Sequence, residues 1–327
     1  MSLSDLRVTS PAHLVAVVPY LLGFHPRDSL VVVGRRGHTL MFAARRDLPP
    51  ADTPFAEVDA FAQHVAAVVA RQTVDSVVLL GWTDERSSGA ALVSAVADAL
   101  LELDIPVGRQ LRVADGRFWC YLCTDEGCCP PEGRPFDAEA AEVRRRAGFD
   151  VFTSREVLVA SVAPAGDEGM RVATVAADRR LEELAARTPP GAGPLLGEIR
   201  RAGARAIGVA MARHRAGGTL DDDEAAWLSV LLAHTPVGEH ALERAAAAGW
   251  QVQLWADLLR RARPELAAMP AVLLAYTAWR TGQGALAAVA VDRALESDPS
   301  LGIARLLDAV LTDGVPPSEL DRVEAAL

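Results

Sequence analysis

All four cysteines of this chain lie in one short stretch, FWCYLCTDEGCCPPEG, at residues 118–133. Their spacing, C-x2-C-x4-C-C, raises the question of a thiolate metal site, because zinc takes four ligands at about 2.0–2.3 Å. If RFWCYLC forms a strand, however, Cys120 and Cys123 lie three positions apart and point to opposite faces. The adjacent Cys128 and Cys129 also project in different directions. We therefore favour no metal, predict no cofactor, and expect buried thiols that pack like small apolar side chains in a rigid loop.

A weaker metal hypothesis stays open for the same loop. Its candidate ligands are Cys123, Cys128, Cys129 and His38, with a carboxylate from Asp125 or Glu126. A disulfide between the adjacent cysteines is disfavoured, because the cytoplasm predicted for this chain is reducing.

A second group of polar residues lies in GFHPRDS (23–29) and GWTDERS (81–87). The candidate catalytic residues are His25, Asp28, Asp84 and Glu85, and the candidate ligand-binding residues are Arg27 and Arg86. A histidine beside carboxylates can perform acid–base chemistry or hold a divalent ion. The structural alternative is a turn at His25–Pro26, in which Asp28 or Ser29 caps a local N–H group and Asp84 caps the helix that follows.

Motifs that would identify a reaction are absent from the sequence. It contains no G-x-G-x-x-G, no G-x-x-x-x-G-K-[ST], no G-x-S-x-G and no H-E-x-x-H. Dinucleotide-binding, P-loop, nucleophile-elbow and zinc-protease interpretations therefore have no support.

Composition argues against nucleic-acid and membrane partners. The net charge is −10, whereas a nucleic-acid-binding protein needs a basic face. All 33 basic residues are arginine, as expected in a GC-rich genome, and RRR at 144–146 is typical of a solvated helix face. No apolar run reaches the roughly 20 residues that a membrane span needs, and the first residues lack a signal-peptide pattern. We expect a cytoplasmic protein.

The elements that must position these residues follow from the apolar periodicity. Residues 29–34, 39–48 and 75–82 and a hairpin turning at Asp115–Gly116 predict strands, and 54–72 and 88–103 predict helices. The order β-β-α-β-α-β-β predicts a mixed-sheet α/β domain at residues 1–152. With right-handed crossovers, strand 2 runs parallel to strands 3 and 4, and strands 1 and 5 run antiparallel to them. GFHPRDS and GWTDERS then share one end of the sheet, and CTDEGCC lies at the other, near His38.

Residues 153–327 predict an all-α domain, with a linker near 188–194. Acidic residues behind Thr219, in LDDDEAAW, predict the start of one of its helices. Small and apolar residues recur through residues 271–299, a spacing that resembles one tetratricopeptide repeat, and Pro299 closes it. A solenoid and a bundle ending in a tetratricopeptide-like helical hairpin both fit this pattern.

Three segments resemble a known family: YLLGFHPRDSLVVVG, FWCYLCTDEGCCPPEG and GQGALAAVAVDRALESDPS. The chain is similar over residues 6–315 to an actinobacterial family described as domain of unknown function 4192. The resemblance implies the domain boundaries above and a GC-rich bacterial host, and it implies no activity, substrate or catalytic residue. Two positions depart from that family's pattern: Gln283 stands where an acid is expected, and Cys120 stands where a small polar residue is usual.

The functional prediction is an interaction or regulatory protein. The helical domain would bind a protein partner or a second copy of the chain, and the α/β domain is a candidate ligand sensor. The alternative is a small-molecule enzyme that uses the His25 and Asp84 end of the sheet. A ligand whose stabilising effect is lost in a His25→Ala, Asp84→Ala variant would favour the enzyme.

Overall fold

A computed structural model describes residues 8, 10–50, 52–147, 151–165, 167–189 and 192–324 of the chain. The chain divides into two compact units, Met1–Val157 with Asp313–Leu327, and Leu158–Thr312. Within the described residues, no helix is both long and apolar enough to cross a membrane. The boundary between an α/β domain and a helical domain at residues 152 and 153, which was inferred from the sequence, stays a prediction.

The first unit contains the predicted β-β-α-β-α-β-β order, preceded by a helix and followed by a short sixth strand. Its elements up to the second unit are α1 (Pro11–Leu22), β1 (Ser29–Arg36), β2 (Thr39–Asp47), α2 (Phe55–Ala70), β3 (Ser76–Trp82), α3 (Arg86–Glu102), β4 (Val107–Ala114), β5 (Arg117–Cys120), β6 (Arg134–Pro135) and α4 (Asp137–Ala147). Ser10 caps α1 by accepting the N–H of His13 at 3.0 Å. Asp115 and Gly116 both have positive φ, 46° and 70°, and form the predicted hairpin turn.

The six strands form one mixed sheet in the order β2-β1-β3-β4-β5-β6. β1 is antiparallel to both β2 and β3, β3 is parallel to β4, and β5 is antiparallel to β4. The predicted strand directions are therefore confirmed. Every residue of β3 between its two terminal residues is buried, as its continuous apolar run predicts for a strand covered on both faces. Helices α2 and α3 pack over Leu30, Val32, Val77 and Leu79 on one of these faces.

The second unit is helical throughout its described residues. The helices that follow α4 are α5 (Arg155–Ser161), α6 (Glu168–Arg187), α7 (Ala192–Arg215), α8 (Asp222–Leu232), α9 (Thr235–Glu243), α10 (Gly249–Arg261), α11 (Ala268–Arg280), α12 (Gly284–Ser297) and α13 (Gly302–Thr312), with a 3-10 turn at Pro264–Leu266. The last helix, α14 (Pro317–Glu324), belongs to the first unit. The predicted linker at 188–194 overlaps the interval between α6 and α7 only over residues 188–191, of which 190 and 191 lie outside the described part, because α7 already begins at Ala192.

Helices α11 and α12 form the helical hairpin over the predicted interval, and they pack closely against each other. The small residues at the predicted crossing are fully buried, among them Ala275, Ala278, Ala287 and Ala294. Small side chains let two helix axes approach closely, which accounts for the pattern in the sequence. The likeness of this hairpin to a tetratricopeptide repeat stays a prediction.

Candidate functional site

The two polar loops predicted to meet at one end of the sheet do share that end. His25 and Asp28 precede β1, Asp84 and Glu85 follow β3, and Ser29 at the start of β1 pairs with Trp82 at the end of β3. The side chains of His25, Asp28, Asp84 and Glu85 are exposed. In the described part of the chain, no hydrogen bond or ion pair joins His25 to Asp28 or Asp84. The side chain of Arg86 lies outside the described residues.

Arginines, rather than carboxylates, provide the electrostatic environment of His25. Partial burial lowers the pKa of His25, and the positive charges of Arg144 and Arg27 lower it further. The imidazole is therefore biased towards its neutral form. Its backbone N–H donates to the carbonyl of Phe152 at 2.9 Å, so this position also has a structural role.

Arg45 of β2 holds the segment before β1 in place. Its Nε donates to Ser29 Oγ at 2.7 Å, and its guanidinium is ion-paired with Asp47. The same guanidinium lies 5.9 Å from the ring centroid of Phe24. Asp28 has a positive φ of 39°, and its carbonyl accepts the N–H of Leu48 at 2.9 Å. These contacts are those of a structural turn.

The loop after β3 is fixed through its backbone. The Nη1 of Arg112 donates to the carbonyl of Asp84 at 2.9 Å, and its guanidinium stacks 3.9 Å from the ring centroid of Trp119. The N–H of Glu85 donates to Thr83 Oγ1 at 3.2 Å. The helix cap predicted for Asp84 is wrong, because the N-cap residue of α3 is Glu85 and no side chain of the described residues makes a capping hydrogen bond there.

The segment that carries the four cysteines, residues 118–133, is called the cysteine loop below. Strand β5 ends at Cys120, and the chain bends at Tyr121 and Leu122. The premise that one strand runs through Cys123, which would place Cys120 and Cys123 on opposite faces, is therefore wrong. The expectation that adjacent thiols diverge is also wrong, because the Sγ atoms of Cys123, Cys128 and Cys129 all lie within 4.8 Å of one another.

Cys129 is the centre of this thiol group. Burial acts to raise the pKa of Cys129, but its interactions with Cys120, Cys123 and Cys128 outweigh burial and lower it. Burial and the hydrogen bond to Cys129 raise the pKa of Cys120 to about 11. All four cysteines are free thiols. The expectation that they are buried is wrong, because Cys128 is exposed and the other three are only half-buried.

The other predicted metal ligands lie apart from the thiols. His38 is exposed in the β1–β2 turn, and β3 and β4 lie between β1 and β5 in the sheet. Asp125 has a structural role, because its Oδ1 accepts the N–H of Gly127 at 2.9 Å. Neither His38, Asp125 nor Glu126 belongs to the group that the three sulfurs form.

Hydrogen bonds and packing fix the two sides of the cysteine loop. The Asp125 carbonyl accepts the N–H groups of Cys128 and Cys129, at 3.1 and 2.7 Å. Trp119 Nε1 donates to the Pro131 carbonyl at 3.0 Å. A Cβ on Gly133, whose φ is +78°, would lie 2.4 Å from Trp119 Cε2, so only glycine fits against the indole ring.

A groove in the second unit was not predicted from the sequence. Its volume is about 200 Å³, and α6, α7 and α8 form its walls. Its lining residues are Arg180, Ala202, Arg205, Ala206, Val209, Leu220, Glu224 and Trp227. The Arg180 guanidinium lies 4.3 Å from the ring centroid of Trp227, a cation–π distance. The tryptophan in LDDDEAAW is the only signal in the sequence for this groove.

The groove has a positive bias. Its acidic residue, Glu224, is ion-paired with Arg213 at 2.6 Å and also accepts the N–H of Asp221 at 3.1 Å. Neither Arg180 nor Arg205 forms an ion pair within the described residues. A bound anionic group would therefore meet two guanidinium groups beside an aromatic ring and the half-exposed Val209.

Comparisons with known proteins identify the family and no activity. The family model described as Domain of unknown function (DUF4192) matches residues 11–318, and the chain belongs to this family. No match was found among curated proteins or among solved structures.

Proposed function

We propose that the chain is an interaction protein whose helical unit binds an acidic segment of a protein partner in the groove formed by α6, α7 and α8. The observation that carries this proposal is the combination of Arg180, Arg205 and Trp227 in one groove. Arginine and tryptophan are the residue types that dominate binding at protein interfaces. The bound segment would place a carboxylate against the guanidinium groups and an apolar side chain against Val209.

Charge complementarity favours an acidic partner segment over a neutral one. Guanidinium groups bind carboxylates through paired, charge-assisted hydrogen bonds. Glu224, the acid that could repel such a segment, is already neutralised by Arg213. The side chains of Arg180 and Arg205 are exposed and thus accessible to a carboxylate.

The test uses fluorescence anisotropy with labelled peptides. Each acidic peptide carries Asp and Glu on both sides of one Phe or Leu, and its control carries Asn and Gln instead. We expect the acidic peptides to bind and the amide peptides not to bind. Replacing Arg180→Ala and Arg205→Ala together should weaken binding by roughly 10- to 100-fold, because a hydrogen bond to a charged group contributes about 1.5–3 kcal/mol.

Matched controls lie on the same two helices. Arg179→Ala and Arg200→Ala remove the same charge from exposed positions that do not line the groove, and they should leave binding unchanged. Equal binding of acidic and amide peptides, or equal losses in control and groove variants, would contradict the proposal. A dimer that dissociates in the groove variant, measured by sedimentation, would make a second copy of the chain the partner instead.

A further inference from the structure

We propose that the cysteine loop is a structural zinc site in which the four thiolates bind one Zn²⁺. The site lies in the first unit and is independent of the helical groove. It differs from the weaker metal hypothesis in its ligands, because the fourth ligand is Cys120 and neither His38 nor a carboxylate takes part.

The convergence of three sulfurs is the main observation. The Sγ atoms of Cys123, Cys128 and Cys129 lie within 4.8 Å of one another. In a tetrahedral site with Zn–S bonds of about 2.3 Å, neighbouring sulfurs are about 3.8 Å apart. Contraction by about an ångström, which thiol rotamers in an exposed loop can provide, would bring the three sulfurs onto one ion.

Cys120 supplies the fourth position. It interacts with Cys129 and therefore lies beside that residue, but its Sγ is not within 4.8 Å of all three other sulfurs, so it must move further than they do to reach a shared ion. The C-x2-C interval from Cys120 to Cys123 and the x4 interval to Cys128 are both spacings that structural zinc sites use. The four-cysteine set was disfavoured because one strand was expected to run through Cys120 and Cys123. Strand β5 ends at Cys120, so that reason does not hold.

The loop is built in a way that suits a metal. The Asp125 carbonyl fixes the backbone of Cys128 and Cys129, and Arg134 Nη2 donates to the Gly127 carbonyl at 3.0 Å. Four thiolates and one Zn²⁺ carry a net charge of −2. Arg109, whose charge acts on Cys120, and Arg134 would offset part of it.

Ligand chemistry narrows the metal to zinc or iron and favours a structural role. A tetrahedral set of four sulfurs is typical of zinc or iron, and a site with four protein ligands leaves no position for a substrate. Binding replaces four S–H bonds by four S–Zn bonds and releases four protons to the buffer, with no change in oxidation state. The ion would join the end of β5 to the far side of the loop.

The first experiment measures metal in the full chain purified without a chelator. We expect one Zn²⁺ per chain by mass spectrometry and four reactive thiols after unfolding in a chelator. Reconstitution with Co²⁺ alone should give the intense visible absorption bands of a tetrahedral site. The absorbance of the thiolate-to-cobalt charge-transfer band should have the intensity that four thiolate ligands produce. This spectrum is recorded on the unaltered chain, so it does not depend on how any variant folds.

Variants then assign the ligands. Cys129→Ser should weaken zinc binding by more than about 100-fold, since loss of an outer-shell partner already costs 10- to 100-fold. Cys120→Ser should lower the Co²⁺ charge transfer to the strength of three thiolates. Controls at the residues of the weaker hypothesis, His38→Gln and Glu126→Gln, should change neither measurement.

Four outcomes would overturn the proposal. They are iron in place of zinc, no metal with four free thiols, a disulfide without metal, and loss of zinc in His38→Gln. None of them bears on peptide binding in the helical groove, so failure of this proposal and failure of the proposed function are distinguishable.

Discussion

His214, in α7, is a buried titratable residue. It is 7% exposed, and its Nε2 has no hydrogen-bond partner among the described residues. Burial lowers the pKa of His214; Asp257 acts to raise it and Arg261 acts to lower it. Since the unfolded chain takes up a proton at higher pH than the folded chain, the free energy of unfolding should decrease as the pH falls below 6.5, the ordinary histidine value.

The first prediction follows from this burial. His214→Gln, which cannot be protonated, should make the free energy of unfolding less dependent on pH between 7 and 5 than in the unaltered chain. Urea unfolding across that range measures how the free energy of unfolding of each protein changes with pH. The reference is pH 8, where His214 is neutral in both the folded and the unfolded chain. Equal slopes in the two proteins would show that His214 does not titrate on unfolding. Residual dependence is expected, because the pKa values of His13, His25 and His234 are also lowered by burial.

The cysteines show the limit of sequence reasoning at the residue scale. Their types and spacing identified the loop, but their directions depended on where β5 ends. The strand stops at Cys120, and a two-residue bend then turns Cys123 towards Cys128. No pattern in YLCTDEG distinguishes a continuing strand from a bend. Because successive side chains of a strand point to opposite faces, an error of one residue in the strand end reverses the predicted direction of every side chain that follows.

Among the elements, α8 has the clearest N-terminal cap. Asp221 accepts the N–H of Glu224 at 2.9 Å, and Glu224 accepts the N–H of Asp221 in return. Acidic residues in LDDDEAAW predicted this helix start, with Thr219 as the residue before it. The cap is Asp221, because its carboxylate is the one placed to accept the N–H of the third helical residue.

A cap substitution should therefore destabilise α8, which forms one wall of the groove. Asp221→Ala should lower the free energy of unfolding by about 1 kcal/mol, since it leaves a helix N–H without a partner. Asp223→Ala removes an exposed first-turn acid that makes no cap and should cost about half as much, through the helix dipole alone. Thermal unfolding of the two variants side by side measures the difference, and equal losses would contradict a capping role.

Apolar periodicity predicted most elements, because burial imposes periods of two and 3.6 residues on the sequence itself. The strand directions followed from the right-handedness of crossover connections. The α11–α12 hairpin was also predicted from periodicity, through the small residues at its crossing. The groove could not be predicted in this way. Arg180 and Trp227 meet only because α6 and α8 pack together, and exposed arginines have no periodic signal.

At the scale of the whole molecule, the chain leaves the first unit after Val157 and returns to it at Asp313. The returning segment packs on α2. Gln72 Nε2 donates to the Gly314 carbonyl, and Arg71 is 3.9 Å from the Asp313 carboxylate. Composition separates helical from mixed segments but contains no information about which helices return to the sheet-containing unit. The return of this segment therefore had no signal in the sequence.

Gly314 provides the test of that return. Its φ is +64°, and a Cβ there would lie 2.3 Å from Val68 Cγ1. Gly314→Ala should destabilise the packed segment by about 1–2 kcal/mol through backbone strain. The collision of the new Cβ with Val68 should destabilise it further. Hydrogen exchange of α2 should then accelerate, and Val68→Ala should rescue part of the loss by removing the collision. Gly302→Ala is the matched control, because nothing lies within 4 Å of a Cβ there and its φ is not in the left-handed region. If exchange in α2 responded equally to both glycine substitutions, the segment from Asp313 would not be part of the first unit in solution.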